Sequence, residues 1–429
     1  MKLQKYFVLD LDGMPFTLLN KKFSKNEMPN LKRICEATNI KRINSVYPTI
    51  SSVAWTSFAT GKNPAQHGIF GFVDKKNDPF SIFIPTSRDR KTDTIWAKLS
   101  SMGKKVIVLN VPITYPPDSV NGIMVSCFLC TDIKKATFPK EFSEYLEHKQ
   151  YIIDVDARLA VEDKHAFMNE LSMVMQKRFE VCFELMEREE WDFFQLHIME
   201  TDRLFHFMWE YVISEDITCY SHAINNFFKK LDYYIGEVYK RLPTDTGLII
   251  LSDHGFCGIK YEVQINKWLE CEGFLKFQEG KEKQLKNYSQ ESICYSLIPG
   301  RIYINLEGRE EKGSVKKSEY TTVRQMLKER LLSMTDLDNN RIIDRVYYKE
   351  DIYEGDFMEN AADLIAHPVN GYDLKSRLDC NEVLGRSHIT GMHTFDDAII
   401  AGVGVDISEV NSISDVSKII LKEMGYEHT

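Results

Sequence analysis

Apolar positions along the chain fall into two alternating registers. Runs with little polar interruption read as buried strands: Tyr6-Phe7-Val8-Leu9 leading to Asp12-Gly13, Val106–Leu109, Asp192–Met199, Gly247–Leu251 and Ala398–Ala401. Between them lie stretches with helical spacing. Met28-Pro29-Asn30 opens one, with Leu31, Ile34 and Cys35 on one face, and Thr92–Ser101 forms another. Asp163–Glu190 is the longest, with Phe167, Leu171, Val174, Phe179, Phe183 and Met186 along its apolar side; a further helix spans about Ser221–Arg241. Strand and helix in alternation predict an α/β fold, a mainly parallel central sheet with helices on both faces.

From about Lys260 to Gly385 the texture changes. Charge rises, strands shorten (Arg301–Leu306, Arg345–Tyr348), and one helix lies near Thr322–Met334. We expect a single catalytic domain over residues 1–429, with a smaller cap-like segment inserted at approximately 260–385. There is no internal repeat or low-complexity tract.

The chemistry centres on Tyr47–Gly68. A strand-like lead-in, Arg42–Tyr47, runs into Pro48-Thr49, and a helical run follows with Val53, Ala54, Trp55, Phe58 and Ala59 as its apolar content. Gly61 and Pro64 close that helix. Ser51 and Ser52 therefore sit at a strand-to-helix junction, where unpaired N–H groups favour an anion. Taken alone, either serine has a simpler use as a helix cap.

Residues elsewhere suggest more. Asp12 follows one strand and Asp253-His254-Gly255 follows another; His393 sits in Gly-Met-His. Adjacent Asp253 and His254 can reach one metal, with Gly255 allowing a sharp backbone turn. Asp202 and His206 lie four apart, one helical turn and on one side, a spacing suited to a second metal that His393 could complete. Such a set is enough for two divalent metals with a serine between them.

Composition narrows the partners. With a net charge of −9 the chain offers no basic field for duplex nucleic acid, and an anionic substrate would need local cations. No apolar run reaches the length of a membrane span, and Met1–Lys5 leads into Tyr6 without a signal-peptide core. Nine scattered cysteines fit a reducing compartment, so a cytoplasmic location is expected. Cys127-Phe-Leu-Cys130 is a lone pair without the partners a zinc site needs.

The segments VLDLDG, MPNL, YPTISSVAWTSFATGKNPAQHGIFGF, VLNVPITYPP, METDRLFH, LSDHGF, GRIYINLEGR and GMH occur in this order over most of the chain. In them the sequence resembles the alkaline-phosphatase superfamily, and within it the type I phosphodiesterase/nucleotide pyrophosphatase branch. The resemblance implies that Asp12, Ser51, Asp253 and His254 surround one metal and that Asp202, His206 and His393 hold the other. Counting back from Thr60-Gly61 places the family's nucleophile on Ser51 rather than Ser52.

The expected cofactors are two divalent ions, Zn²⁺ by preference, with Mn²⁺ compatible. The expected reaction is hydrolysis of a phosphodiester or phosphoanhydride through a covalent Ser51 intermediate, on a small phosphorylated or nucleotide substrate. A phosphomonoesterase or phosphomutase is the nearest alternative, and a non-catalytic metal-binding partner protein is the rival from another class.

One departure stands out. Many nucleotide pyrophosphatases hold a non-bridging phosphate oxygen with an asparagine some twenty residues past the nucleophile, and Phe72 occupies that spacing here. Asn110, Arg88 and Tyr303 are the candidate replacements. His67, His197, Trp55 and Trp209 read as structural. Ser51–Ala54 lacks the sulfatase nucleophile motif, which argues against that activity.

Overall fold

The computed structural model describes residues 5–38, 40–77 and 79–426. The chain divides into two units: Met1–Lys62, Thr86–Cys257 and His393–Thr429 form the larger, Asn63–Pro85 and Gly258–Met392 the smaller.

An eight-stranded sheet organises the larger unit, in the order Lys41–Ile43, Ala398–Val403, Thr246–Leu251, Lys5–Leu11, Phe193–Ile198, Val106–Leu109, Gly122–Val125, Thr137–Phe138. The strands from Thr246–Leu251 to Gly122–Val125 run parallel. Antiparallel strands flank them on both sides. Lys5–Leu11 lies centrally and is buried from Tyr6 to Leu11, which is why its sequence shows an apolar run rather than alternation.

Side chains still alternate between the two faces. Tyr6, Val8, Val106, Val108 and Phe193 pack with Trp55 and Phe58 of helix Ser51–Thr60, with Ile95 and Leu99 of helix Ile95–Ser101, and with Val416 and Ile420 of helix Ile413–Glu423. Phe7 stacks on Phe194 with centroids 4.9 Å apart and meets Trp191 edge-on. The same period carries the face of Tyr6 and Val8 onward to Asp10 and Asp12.

Most expected elements form close to their sequence bounds. Asp163 caps helix Lys164–Arg188, its side chain accepting from the His165 and Ala166 amides. Gly61 ends helix Ser51–Thr60 in the left-handed region at φ 67°. Two differ. Of the lead-in, only Arg42 and Ile43 lie in a strand, Lys41–Ile43, which pairs against Ala398–Ile400. Helix Phe16–Ser24 is unexpected from sequence, because its buried Leu18, Leu19 and Lys22 make a weak apolar face.

The smaller unit holds a four-stranded antiparallel sheet (Cys294–Leu297, Arg301–Ile304, Leu364–Pro368, Ile343–Tyr348) and helix Tyr320–Leu332. Tyr261–Gln264 lies between Tyr372–Lys375 and Leu384–Gly385 in a second, three-stranded sheet. It also includes the hairpin of Asp74–Asn77 with Phe80–Phe83.

Candidate active site

Parallel strands end on one edge of the sheet, and the residues that follow them collect there. Asp12 follows Lys5–Leu11, Asp253-His254 follow Thr246–Leu251, and helix Glu200–Ile213 begins just past Phe193–Ile198, carrying Asp202 and His206. Ser51 opens helix Ser51–Thr60, and His393 lies in the strand Gly391–Thr394. Their side chains meet.

Ser51 Oγ donates to Asp12 Oδ1 at 3.3 Å and lies 3.1 Å from His254 Nε2. His254 Nε2 is 3.2 Å from Asp253 Oδ2. Asp202 Oδ1 lies 3.3 Å from both His206 Nε2 and His393 Nε2, which are themselves 3.0 Å apart. Asp12, Asp253 and His254 offer ligand atoms within 4.8 Å of one another, and so do Asp202, His254 and His393. His254 thus faces both groups, its ring stacked on that of His393 at 3.6 Å.

The imidazole tautomers follow from their far sides. His254 Nδ1 is 3.1 Å from the Gly255 carbonyl and His393 Nδ1 is 3.3 Å from the Thr49 carbonyl. A carbonyl can only accept, so both Nδ1 atoms carry the proton and both Nε2 atoms turn lone pairs inward. Burial and the nearby His393 push His254 down to about 3, which keeps it neutral.

The carboxylates are under opposite pressures. Burial and the charge of Asp12 drive Asp253 well above the usual carboxylate range. Burial also opposes ionisation of Asp202, but His206 and His393 hold it well below that range. Asp202 Oδ1 and Asp253 Oδ2 are buried and receive no hydrogen bond among the described residues. Carboxylate oxygens and imidazole nitrogens converge here, and a divalent cation in place of shared protons would satisfy them, so the donor set fits.

Glycine at two positions makes the crowding possible. Gly13 adopts φ 69°, its amide donates to Asp253 Oδ1 at 3.1 Å, and a Cβ there would lie 2.5 Å from the Phe256 ring. Gly255 is needed for a different reason than the sharp turn expected from sequence. Its φ is ordinary, but a Cβ would lie 2.5 Å from Thr394 Oγ1 and 2.6 Å from Asp397 Cβ.

Ser52 also departs from expectation. The helix has no side-chain cap, and the buried Ser52 hydroxyl has no hydrogen-bond partner among the described residues. Of the candidate phosphate contacts, Asn110 is committed at both ends, donating to the Ser126 carbonyl at 3.0 Å and accepting from the Tyr151 hydroxyl. Arg88 is exposed on the short helical turn Ser87–Asp89. Tyr303 is buried in the smaller unit, where its hydroxyl accepts from Arg301 at 3.4 Å. Phe72 belongs to that unit too. His67 is fully buried and accepts from the Ile69 amide at 3.2 Å.

Sequence reading missed the layer beneath the ligands. His197 pairs in register with Asp10 and places Nε2 2.9 Å from Asp12 Oδ2 and Nδ1 3.4 Å from Asp10 Oδ2. Burial disfavours its charge, but the two carboxylates prevail and push it up to about 9. Trp55 Nε1 donates to Asp12 Oδ2 at 3.1 Å and packs edge-on against His197. Both residues fix the orientation of Asp12. Their signal was the polar series Asp10, Asp12, Gln195 and His197 within otherwise apolar strands.

Solved structures share this fold. Phosphonoacetate hydrolase from Sinorhizobium meliloti 1021, in complex with phosphonoformate, is 14% identical, covers 99% of this chain and 97% of its own, and has a TM-score of 0.67. Human ectonucleotide pyrophosphatase/phosphodiesterase 5 is 14% identical, with coverages of 99% and 96% and a TM-score of 0.59. Its murine counterpart, in complex with AMP, is 14% identical, with coverages of 98% and 95% and a TM-score of 0.57. No curated protein sequence matches.

The large, mostly parallel sheet flanked by helices is the fold of the alkaline-phosphatase superfamily. Within it, the chain belongs to the type I phosphodiesterase/nucleotide pyrophosphatase family, whose model matches residues 6–396. Membership defines a phosphohydrolase of phosphodiesterase/pyrophosphatase type. No helix among the described residues is long and apolar enough to cross a membrane.

Proposed function

We propose that this chain is a two-metal hydrolase of phosphodiester or phosphoanhydride bonds that uses Ser51 as its nucleophile. The observation carrying this reading is the position of Ser51 Oγ, within 3.3 Å of Asp12 Oδ1 and 3.1 Å of His254 Nε2. Asp12, Asp253 and His254 would hold one ion beside Ser51; Asp202, His206 and His393 would hold the other. Zn²⁺ suits the mixed carboxylate and imidazole donors, and Mn²⁺ is compatible. Bound there, the ions would supply Lewis acidity and the positive charge that phosphoryl transfer demands.

The chain's own groups do the rest. His197 and Trp55 orient Asp12, and Asp12 with His254 aims Ser51 Oγ. Ser51 gives up its hydroxyl proton and attacks phosphorus, the bond to the leaving oxygen breaks with that oxygen taking up a proton, and the rest of the phosphoryl group stays on the serine. Water then cleaves the Ser51–phosphoryl bond and regenerates the hydroxyl. Helix Ser51–Thr60 directs its first-turn N–H groups toward the anion.

The substrate on this reading is a small phosphorylated or nucleotide compound. A reducing, cytoplasmic setting belongs to the same reading, on the nine scattered cysteines of the sequence. The test measures purified protein against bis-p-nitrophenyl phosphate, p-nitrophenyl phosphate and a nucleotide panel, with elemental analysis alongside. Turnover of diesters or anhydrides with about two transition-metal ions per chain is expected. Monoesters exceeding every diester and nucleotide in efficiency would replace this reading with a phosphomonoesterase.

A further inference from the structure

The two groups of proposed metal ligands sit on separate stretches of the chain, and a buried hydroxyl bridges them. Asp12 follows strand Lys5–Leu11, whereas Asp202 and His206 ride on helix Glu200–Ile213. Thr201, fully buried between Glu200 and Asp202, donates its hydroxyl proton to the Asp12 carbonyl at 2.6 Å. The Ile198 carbonyl, three residues back, lies farther off at 3.1 Å and already accepts from the Asp12 amide at 3.1 Å. A threonine in a helix ordinarily bonds back to its own turn in that way. Thr201 spends its one proton on a neighbouring segment instead.

The bond spans a junction with a single hinge. Met199 alone separates strand Phe193–Ile198 from helix Glu200–Ile213. The Asp12 amide and carbonyl are gripped from either side of that junction, by Ile198 before it and Thr201 after it. The helix cannot pivot about Met199 without breaking the Thr201 bond. Other contacts hold the shape of the turn itself. Buried Arg178 donates to Glu200 Oε1 from Nε at 3.0 Å and Nη2 at 2.6 Å, and Arg203 Nη2 donates to Asp154 at 2.6 Å. Removing one hydroxyl therefore frees the placement of the turn without unwinding it.

We infer that Thr201 is a positioning residue that sets the separation of the two metal-ligand groups, by locking the Asp12 backbone to the turn that carries Asp202. This rests on the two-metal reading above and deepens it. His197 and Trp55 aim the Asp12 carboxylate, and the Gly13 amide ties Asp253 to the same loop, so the first group is fixed within itself. Asp202 and His206 are fixed to each other by one helical turn. The Thr201 hydroxyl governs the offset between these two rigid pieces, which a two-metal site must hold constant.

The test uses the full chain with Mn²⁺ as the probe. It compares wild type with Thr201→Val, which keeps the branched shape and loses the hydroxyl, and with Thr201→Ser, which keeps the hydroxyl. In calorimetric titration the weaker of the two Mn²⁺ binding steps should lose about 10-fold in affinity in Thr201→Val, the worth of one buried hydrogen bond. At saturating Mn²⁺ its electron paramagnetic resonance spectrum should show weakened coupling between the ions. Turnover of bis-p-nitrophenyl phosphate by the saturated variant should fall about 10- to 100-fold in kcat with KM little changed, as a small misplacement does. Thr201→Ser should recover most of all three. Thr201→Ala takes the place of the Val variant if that one does not fold.

Wild-type affinity, coupling and kcat in the variant without the hydroxyl would overturn the inference while leaving the two-metal reading intact. Thr201→Ser as impaired as Thr201→Val would overturn it as well, because shape rather than the hydroxyl would then matter. So would a lower melting temperature of the metal-free variant beside unchanged coupling at saturation, which would make Thr201 a support for the fold alone. Wild type binding fewer than two Mn²⁺ ions would sink the two-metal reading, and the role of Thr201 with it.

Discussion

Asp253 in the larger unit and Asp363 in the smaller are both fully buried, yet one is crowded by acceptors and the other is ringed by donors. Asp363 accepts from the Ile304 amide at 2.7 Å, from Arg309 at 2.6 and 2.7 Å, and from the Tyr320 hydroxyl at 2.6 Å. Its neighbours follow the same rule. Glu310 accepts from Lys75 at 2.8 Å, Tyr295 at 2.9 Å and Arg309 at 3.0 Å, and Asp74 pairs with buried Arg301. Among the described residues Asp253 receives one amide bond on Oδ1 and nothing on Oδ2, which looks toward His254. Buried charge that is fully satisfied holds a fold together; buried charge left open marks a place reserved for something else.

The sharpest break of this contrast is chemical. Ser51→Ala should lower turnover on the order of 10,000-fold, as removal of a covalent nucleophile does, with metal content retained through the remaining ligands. Steady-state rates and elemental analysis check both halves. An active Ser51→Ala beside an inactive Ser52→Ala would reverse the assignment of the two serines.

Arg309→Met should destabilise the protein by about 3–5 kcal/mol in urea unfolding, because Asp363 and Glu310 lose their shared cation inside the smaller unit. The pH dependence has a definite sign. The folded-state value of Asp363 is depressed, since Arg309 outweighs the burial that opposes its charge. Its contribution is therefore whole above the unfolded value near 3.8 and is lost as pH falls through the folded one. Wild-type unfolding below pH 4 should be steeper than that of Arg309→Met.

The two aspartates should also respond oppositely to the same exchange. In chelator-treated protein, Asp363→Asn should cost about 2–4 kcal/mol. Asp253→Asn should instead raise stability by about 1 kcal/mol, by removing a carboxyl whose ionisation burial and Asp12 oppose. Adding back divalent ion should reverse the sign for Asp253→Asn, because wild type alone gains the full binding energy. Thermal melts with and without metal measure each. A stabilised Asp363→Asn would erase the distinction between the regions.

The smallest effect belongs to Ser52. Its buried hydroxyl lacks a partner among the described residues, so Ser52→Ala should shift stability by less than about 1 kcal/mol, toward greater stability. A loss of 2 kcal/mol or more would mean that the hydroxyl is bonded after all.

Much of this site was legible from the chain alone because a polar residue that ends an apolar strand is conspicuous. Asp12, Asp253 and His254 announce themselves in that way, and the helical interval of Asp202 and His206 needs only the pitch of a helix. The central sheet was equally plain, since strands buried on both faces leave continuous apolar runs. Helix Phe16–Ser24 was not, for its two buried leucines and a lysine make no recognisable stripe.

Sequence by itself determined which residues end buried elements, hence the α/β class and the donor types, because period and interruption are local properties. Only the tertiary structure decided who faces whom. His197 reads as one polar residue in an apolar strand until register sets it opposite Asp10 and beside Asp12. Arg203 reads as a surface residue until Asp154, 49 positions earlier, takes one edge of its fork. Ser51 and Ser52 are equivalent by composition, and helix direction alone turns one hydroxyl to the ligands and leaves the other without a partner among the described residues. Pairing between distant strands and the angle at which a helix meets a sheet are set by packing of the whole core, which no local pattern records.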